Sequence, residues 1–293
     1  MRIKVDSDSD VDYEKSSSLR TIIRHPIVFI LNNAPSKSRN LIKKSHRSAK
    51  KVIEEATTHE AIETLYKFGE PEHSKTVLQK FFHFVWFTTN NSKAVRNRLR
   101  LVTRELKNAI KEHVDQRKNV KILSIAAGSA RAVLDAVSDY NSLSKEEIKV
   151  TFLDKNPKAN EYSQRLVLER NYPDNHMFNW IVDKAGNFPK YLKDEDCPNI
   201  VEIVGLLDYF ENDAIERLMR LIYENLEDGG VFITSNIIDN LERKFVTNVV
   251  GWKMIYKKPE EFHKIAKEAG FKDENISILI EPFKIHFVMI AKK

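Results

Sequence analysis

The 293-residue chain contains one cysteine, Cys197. A single thiol rules out an internal disulfide framework, and no Cys/His spacing reads as a zinc site. Glycine (8 residues) and proline (9 residues) are scarce, which excludes collagen-like, linker-like and low-complexity architectures. Long apolar runs are also missing. The run near the start, Ile27 to Leu31, falls far short of the ~20 residues that a membrane-spanning helix needs. The opening MRIKVDSDSDVDYEKSSS lacks the apolar centre of a secretory signal. With so little cysteine, the expected location is the cytoplasm.

What is present is the composition of a folded domain. Hydrophobic residues make up 42% and charged residues 31%, so a chain of this length can bury a core without covalent staples. The positive charge is uneven. Residues 1–120 hold 24 Lys/Arg against 14 Asp/Glu, and residues 121–293 hold 24 against 28. The basic part is either a set of solvated helix faces or a surface for an anionic substrate, an acidic carrier, a membrane or a nucleic acid.

Three zones follow from the pattern. Residues 1–19 are polar, rich in Ser and Asp, and expected to be disordered. Residues 20–118 read as a helical N-terminal domain, with Gly69 its one glycine from Arg20 to His113 and with Pro26, Pro35 and Pro71 dividing it into several helices. One helix is predicted after Thr58, another after Ser74 (Val77, Leu78, Phe81, Phe82, Phe84), and a third from Ser92 to His113. In the third, Val95, Leu99, Val102, Leu106 and Ile110 share a face, and Arg96, Arg98, Arg100 and Arg104 lie mostly off it. From 119 to 293 short β-rich runs alternate with helical stretches, and the chain ends on two strands with no full helix between them. The expected fold is α/β: a Rossmann-like, doubly wound, mostly parallel seven-stranded sheet with an antiparallel last strand, preceded by the helical domain.

Four segments carry the candidate chemistry. In KILSIAAGSARAV an apolar strand enters a turn of small residues, Ala126 to Ala130, and then a helix. Such a turn lets a ligand approach the backbone, and Gly128 can take a positive φ. In VTFLDKNP a second strand ends on Asp154, 26 residues after Gly128, where a carboxylate can accept from two ribose hydroxyls or cap the next helix. Asn156 is an equally good cap. In FNWIVDKAGNF, Asp183 follows a third strand and suits an adenine 6-amino group or an exposed loop. The long segment NIVEIVGLLDYFENDAIERLMRLIYENLEDGGVFITSN reads strand, loop with Gly205 and Asp208, amphipathic helix, Asp-Gly-Gly turn and strand, with Gly205 to Tyr209 where a strand's carboxyl end meets a ligand crevice.

These features, in this order, resemble class I methyltransferases dependent on S-adenosylmethionine (SAM), over about residues 119–293. The resemblance implies SAM as cofactor. It implies Ala126, Gly128 and Ala130 around the methionine portion, Asp154 at the ribose, Asp183 at the adenine amine, and Gly205 and Leu206 near the methyl donor. Ser124 stands where an acid is usual in that family, and Ala126 and Ala130 replace glycines. SIAAGSAR, GLLDYF, DGGVFITSN and GWKMIYKKPEEFHKIAKEAGF are similar to a bacterial subgroup linked to making the methyl ester of 3-hydroxypalmitic acid. NSKAVRNRLRLV is similar to it as well, which implies that Asn91, Arg96 and Arg98 contact SAM or substrate.

The activity expected from this resemblance is O-methylation of a small molecule or a lipid-like acid. A carboxylate acceptor needs no general base, whereas a hydroxyl does. His263 and His286 are candidate bases that also read as structural residues. Trp252 and Tyr256, like Phe81, Phe82, Phe84 and Trp86, could wall an apolar pocket. The alternatives are an RNA or protein methyltransferase that docks its partner on the basic helices, and a SAM-binding module without catalysis. No metal is expected, and neither is a nucleic-acid partner under the preferred reading.

Overall fold

The runs VKILSI and IVEI are apolar on both faces, which is the pattern of strands covered by helices on either side. The computed structural model describes residues 2–15, 28–30, 32, 33, 35, 50, 58–66, 89–140, 146–192 and 197–293. The helix predicted after Ser74 and the aromatic residues Phe81, Phe82, Phe84 and Trp86 lie outside the described residues.

The strands are β1 (Arg2–Val5), β2 (Val120–Ile125), β3 (Ile148–Asp154), β4 (His176–Val182), β5 (Ile200–Ile203), β6 (Val231–Ile237), β7 (Ile276–Ile280) and β8 (His286–Lys292). They form one sheet in the order β1-β7-β8-β6-β5-β2-β3-β4. All neighbours are parallel except β8, which runs antiparallel to β6 and β7. This is the expected doubly wound sheet with its closing hairpin. Helices α1 (His59–Tyr66), α2 (Asn90–Asp115), α3 (Arg131–Ser138), α4 (Pro157–Arg170), α5 (Asn212–Asn225) and α6 (Pro259–Glu268) connect and cover it. One face packs against α2 and α3 through Leu101, Leu106, Ile110, Val133 and Leu134. The other packs against α5 and α6 through Ile215, Met219, Ile222, Phe262 and Ile265.

Two expectations about organisation change. The start of the chain, read as disordered, is ordered from Arg2 to Lys15. Its strand β1 extends the sheet edge beside β7, with Arg2 opposite Ser277 and Val5 opposite Ile280. Polar composition misleads here because the acids have partners in α2. Arg104 donates to Asp6 Oδ2 at 2.7 Å and to Asp8 Oδ2 at 2.9 Å, and Tyr13 donates its hydroxyl to Asp6. Arg96 donates to Glu14 Oε2 at 2.9 Å, and Asn97 Nδ2 donates to the Glu14 carbonyl at 3.0 Å. The second change concerns the boundary at 118. Helix α2 shares a core with β2, β3 and β8, so this part of the helical zone belongs to the sheet's own packing.

Deleting residues 2–14 therefore removes an edge strand, takes the Glu14 carboxylate from Arg96 and takes those of Asp6 and Asp8 from Arg104. The expected loss is a few kcal/mol, roughly 5–10 °C in Tm. A thermal melt that does not move would return this segment to the disordered class.

Candidate active site

The chain winds from β2 to β3 and β4 in one direction, then returns to place β5 on the other side of β2. At such a reversal the connections leaving two adjacent strands diverge, and a crevice opens at their carboxyl ends. A cavity of about 560 Å³ lies there, within the roughly 300–1,000 Å³ of small-molecule sites. Its lining includes Ala126, Gly128, Ala130, Asp154, Asp183, Gly205 and Leu206, the residues expected around the donor, and leaves out Arg96.

The turn after β2 is unusual. Ala126, Gly128 and Ala130 have φ of 54°, 56° and 55°. The two alanines hold the left-handed conformation that glycine adopts without cost, at about 1–2 kcal/mol each. The turn is pinned from β3: Asp154 Oδ2 accepts from Gly128 N at 2.9 Å, and Oδ1 accepts from Asn156 N at 2.8 Å. Asn156 caps α4, accepting from Lys158 N at 3.1 Å, so Asp154 is free of that task. Asp183 accepts from Lys184 N and Asn187 Nδ2, both at 2.7 Å, and from Tyr191 Oη at 2.9 Å. Asn187, then Lys184 and Tyr191, hold its carboxyl below the ordinary range. After β5 the chain turns through Gly205 at φ 85°, and a Cβ there would stand 3.8 Å from the Arg98 guanidinium.

Arg96 is spent on Glu14 and on the Leu65 carbonyl at 3.3 Å, and does not line the cavity. Arg98 does. It is buried and lies 3.6 Å from Asp208 Oδ2. Burial pushes Asp208 up to about 6 against the pull of Arg98. On β5, Glu202 is register-paired with Ser124 and accepts its hydroxyl at 2.6 Å. An acid is thus present beside the position where the sequence has serine, supplied by the neighbouring strand. Burial pushes Glu202 up to about 7, with Ser124 and then Arg98 opposing.

Helix α1 lines the cavity through His59, Ile62, Leu65 and Tyr66, with Thr58 just before it. It is fastened by Glu63, which accepts from Arg131 at 2.9 and 2.6 Å and from Tyr162 Oη at 2.8 Å. Burial would raise the Glu63 pKa, but Arg131, Ser129 and Tyr162 together bring it below the ordinary value.

The two candidate histidines separate. His263 on α6 lies 3.6 Å from Asp273, away from the cavity, while His286 on β8 lines it. Trp252 lines the cavity and donates to Tyr209 Oη; Tyr256 lies outside the lining and packs under Arg243. Asn91 lines the cavity but is held by Glu242 Oε2 at 2.7 Å. The sequence pattern places Asp208 with Gly205 at the crevice but gives Glu202 and Glu63 no role. The signal for Glu202 was available, as one charge inside the apolar strand IVEI. Nothing local singles out Glu63, whose partners lie 68 and 99 residues away.

The strand order, the reversal crevice and its acid-tipped neighbouring strands make a doubly wound α/β fold with a ligand site at its switch point. A model of the family described as "Putative methyltransferase" matches residues 53–293, and the chain belongs to that family. Among solved structures it is similar to a Bordetella parapertussis protein described as a possible exported protein, at 15% identity and TM-score 0.64 over 82% of this chain and 80% of that one. It is also similar to magnesium protoporphyrin IX methyltransferase from Synechocystis PCC 6803 with bound S-adenosylhomocysteine (SAH), at 11% identity and TM-score 0.54 over 78% and 90%. A third, CurJ carbon methyltransferase, matches at 12% identity and TM-score 0.53 over 84% and 66%. At these identities the likeness is one of fold. No curated protein matches the chain.

Three substitutions test the energetics. Ala126→Gly and Ala130→Gly relieve the left-handed strain but add unfolded-state entropy of about 0.5–1 kcal/mol. Each should raise stability by up to about 1 kcal/mol, read by chemical denaturation. Glu202→Gln should also stabilise the protein at pH 8, where the buried carboxylate is ionised in both folded and unfolded states. The ceiling is about 3 kcal/mol for a carboxyl moved from 4.5 to about 7. The gain should shrink as pH falls through 7 and vanish below 4.5, where the native acid is protonated in both states. A gain independent of pH would show that Glu202 is not buried as a charge.

Proposed function

We propose that the protein transfers a methyl group from SAM to an oxygen of a small, largely apolar molecule. The observation that carries this reading is one continuous cavity with two kinds of wall. Near β2 and β3 it is bounded by the small-residue turn and by Asp154 and Asp183. Beyond Gly205 it is bounded by Leu65, Val95, Phe245, Val250, Trp252 and Met254.

The cradle suits the donor. Ala126, Gly128 and Ala130 leave room for the methionine portion. The Asp154 oxygens each accept one backbone N–H and keep capacity for ribose hydroxyls. Asp183 stands where it can accept from the adenine amine. Glu202 and Asp208 offer negative charge to a cofactor that carries a sulfonium and an ammonium. SAM supplies an activated methyl group; the protein's part is to align acceptor oxygen, methyl carbon and sulfur at near-attack distance and to exclude water. Helix α1, latched by Glu63, supports the second role.

A small molecule and a lipid-like acid, such as the resemblance to the 3-hydroxypalmitic acid subgroup implies, both suit the apolar half. An RNA or protein acceptor would draw on the basic helical part. The α2 arginines are committed elsewhere: Arg96 to Glu14, Arg98 to Asp208, and Arg104 to Asp6 and Asp8. A cytoplasmic location remains our proposal; among the described residues no helix is long and apolar enough to cross a membrane.

Titration calorimetry with SAM and SAH tests the donor site. Asp154→Ala should weaken both by roughly 5- to 150-fold, about 1–3 kcal/mol. Arg96→Ala should lower thermal stability and leave both affinities unchanged. Wild-type protein that binds neither ligand would overturn the proposal.

A further inference from the structure

The chain from Leu241 to Val250 has two sides. On the inner side Phe245, Val246 and Val250 line the apolar half of the cavity. On the outer side Leu241, Arg243, Lys244 and Thr247 border a second, open groove, where Phe29 and Asn32 meet them. One side chain pins the two parts together: Asn32 donates to the Leu241 carbonyl and accepts from Phe245 N at 3.0 Å. Val28 is buried, but the next two residues are not. Phe29 is 70% exposed, Ile30 66% and Leu241 68%. Phe29 and Leu241 border the same groove, and Ile30 is the next residue along the chain. Large apolar side chains gathered at one place, unlike single exposed ones, mark an interaction surface.

The chain that carries Phe29 and Ile30 is cationic. From Arg20 to Lys51 the sequence has nine Lys/Arg and neither Asp nor Glu. Across the groove Lys244 is exposed and has no ion pair among the described residues. Arg243 lies over the Tyr256 ring and meets Asp239 at 3.1 Å.

Apolar and cationic groups together select the partner. The phosphates of a nucleic acid would satisfy the cations but leave Phe29, Ile30 and Leu241 in water. A bilayer with anionic headgroups satisfies both: its acyl boundary takes the apolar side chains and its surface takes the charge. The position of the patch agrees, since it lies on the outer side of the wall whose inner side bounds the apolar half of the cavity.

We propose that this face docks on an anionic lipid bilayer, with Phe29, Ile30 and Leu241 entering the acyl boundary and Lys244 and the cations of residues 20–51 meeting the headgroups. The protein lies on the surface; among the described residues no helix is long and apolar enough to cross it. Docking sets one side of the 241–250 wall against lipid and the other against the methyl acceptor. Resting on the methyltransferase reading above, the acceptor is then an amphiphile drawn from the membrane.

The test is co-sedimentation of the full chain with vesicles in the absence of SAM. Phosphatidylcholine vesicles with about 40% phosphatidylglycerol should retain the protein, and pure phosphatidylcholine should retain little. Raising salt from about 0.1 to about 0.5 M should weaken the binding severalfold. Phe29→Ser, Ile30→Ser and Leu241→Ser combined should weaken it by about tenfold or more. Leu168→Ser, at a residue 76% exposed on α4, should not weaken it. Leu241→Ser alone should have a smaller effect than the triple variant and serves if that variant does not fold. Lys43→Glu with Lys44→Glu should also reduce binding. Melts and SAH titrations of each variant should match wild type, because none of these residues lies in the donor crevice. No binding to the anionic vesicles, equal binding to both vesicle types, or serine variants that bind as wild type would overturn the inference. So would an equal loss in Leu168→Ser, or capture of single-stranded RNA in place of vesicles. SAH binding without vesicle binding sinks the docking alone. Vesicle binding without SAH binding sinks the methyltransferase reading and leaves the docking in place.

Discussion

The site depends on how the chain leaves β2. It must turn away from the sheet within five residues while keeping its backbone close to the crevice, and it does so through three left-handed residues, two of them alanines. That conformation is held from outside the turn. Asp154, at the end of the adjacent parallel strand, accepts the Gly128 N–H with one oxygen and the Asn156 N–H with the other. One carboxylate therefore ties the first turn to the start of α4. The register of β2 against β3 sets where it stands, with Ile125 opposite Leu153. Strain in the turn and order in the sheet are two sides of one constraint.

A second theme is the internal use of charge. The N-terminal part of the chain is strongly basic by count, and the arginines of α2 look like a surface for an anionic partner. In the folded protein Arg104 keeps its neighbour Glu105, but the other carboxylates come from far away in sequence: Asp6, Asp8 and Glu14 from the first strand and its extension, and Asp208 from the turn after β5. The pairing serves two ends. Arg104 and Arg96 fasten β1 and the following segment to the sheet edge. Arg98, two residues from Arg96 and on another side of the same helix, instead brings its charge to the cavity floor. Two adjacent motif arginines thus have different tasks, set by the helical rotation of about 100° per residue.

The cavity also shows why buried acids need not be ion-paired to persist. Glu202 keeps a hydroxyl partner in Ser124, and Asp208 has a loosely placed guanidinium. Both are raised towards neutrality by burial. Carboxyls of this kind sacrifice folding free energy and respond to a cationic ligand.

The sequence by itself determined the sheet and most of the donor crevice. Alternating short β-rich and amphipathic runs after residue 119 announce the strands β2 to β8 and the helices between them, because a buried apolar run and a period-3.6 stripe are local properties. Asp154, Asp183, Gly205 and the small-residue turn could be found because each follows a strand directly. Tertiary structure alone decided the rest. The order of β1 depends on pairing with β7 across more than 270 residues of chain. The choice of Arg98 over Arg96 depends on which face of α2 meets the cavity. The separation of His286 from His263 depends on which element ends at the crevice. The closing of Glu63 on Arg131 and Tyr162 depends on α1 lying over the turn. In each case the partner is distant in sequence, and composition near the residue carries no trace of it.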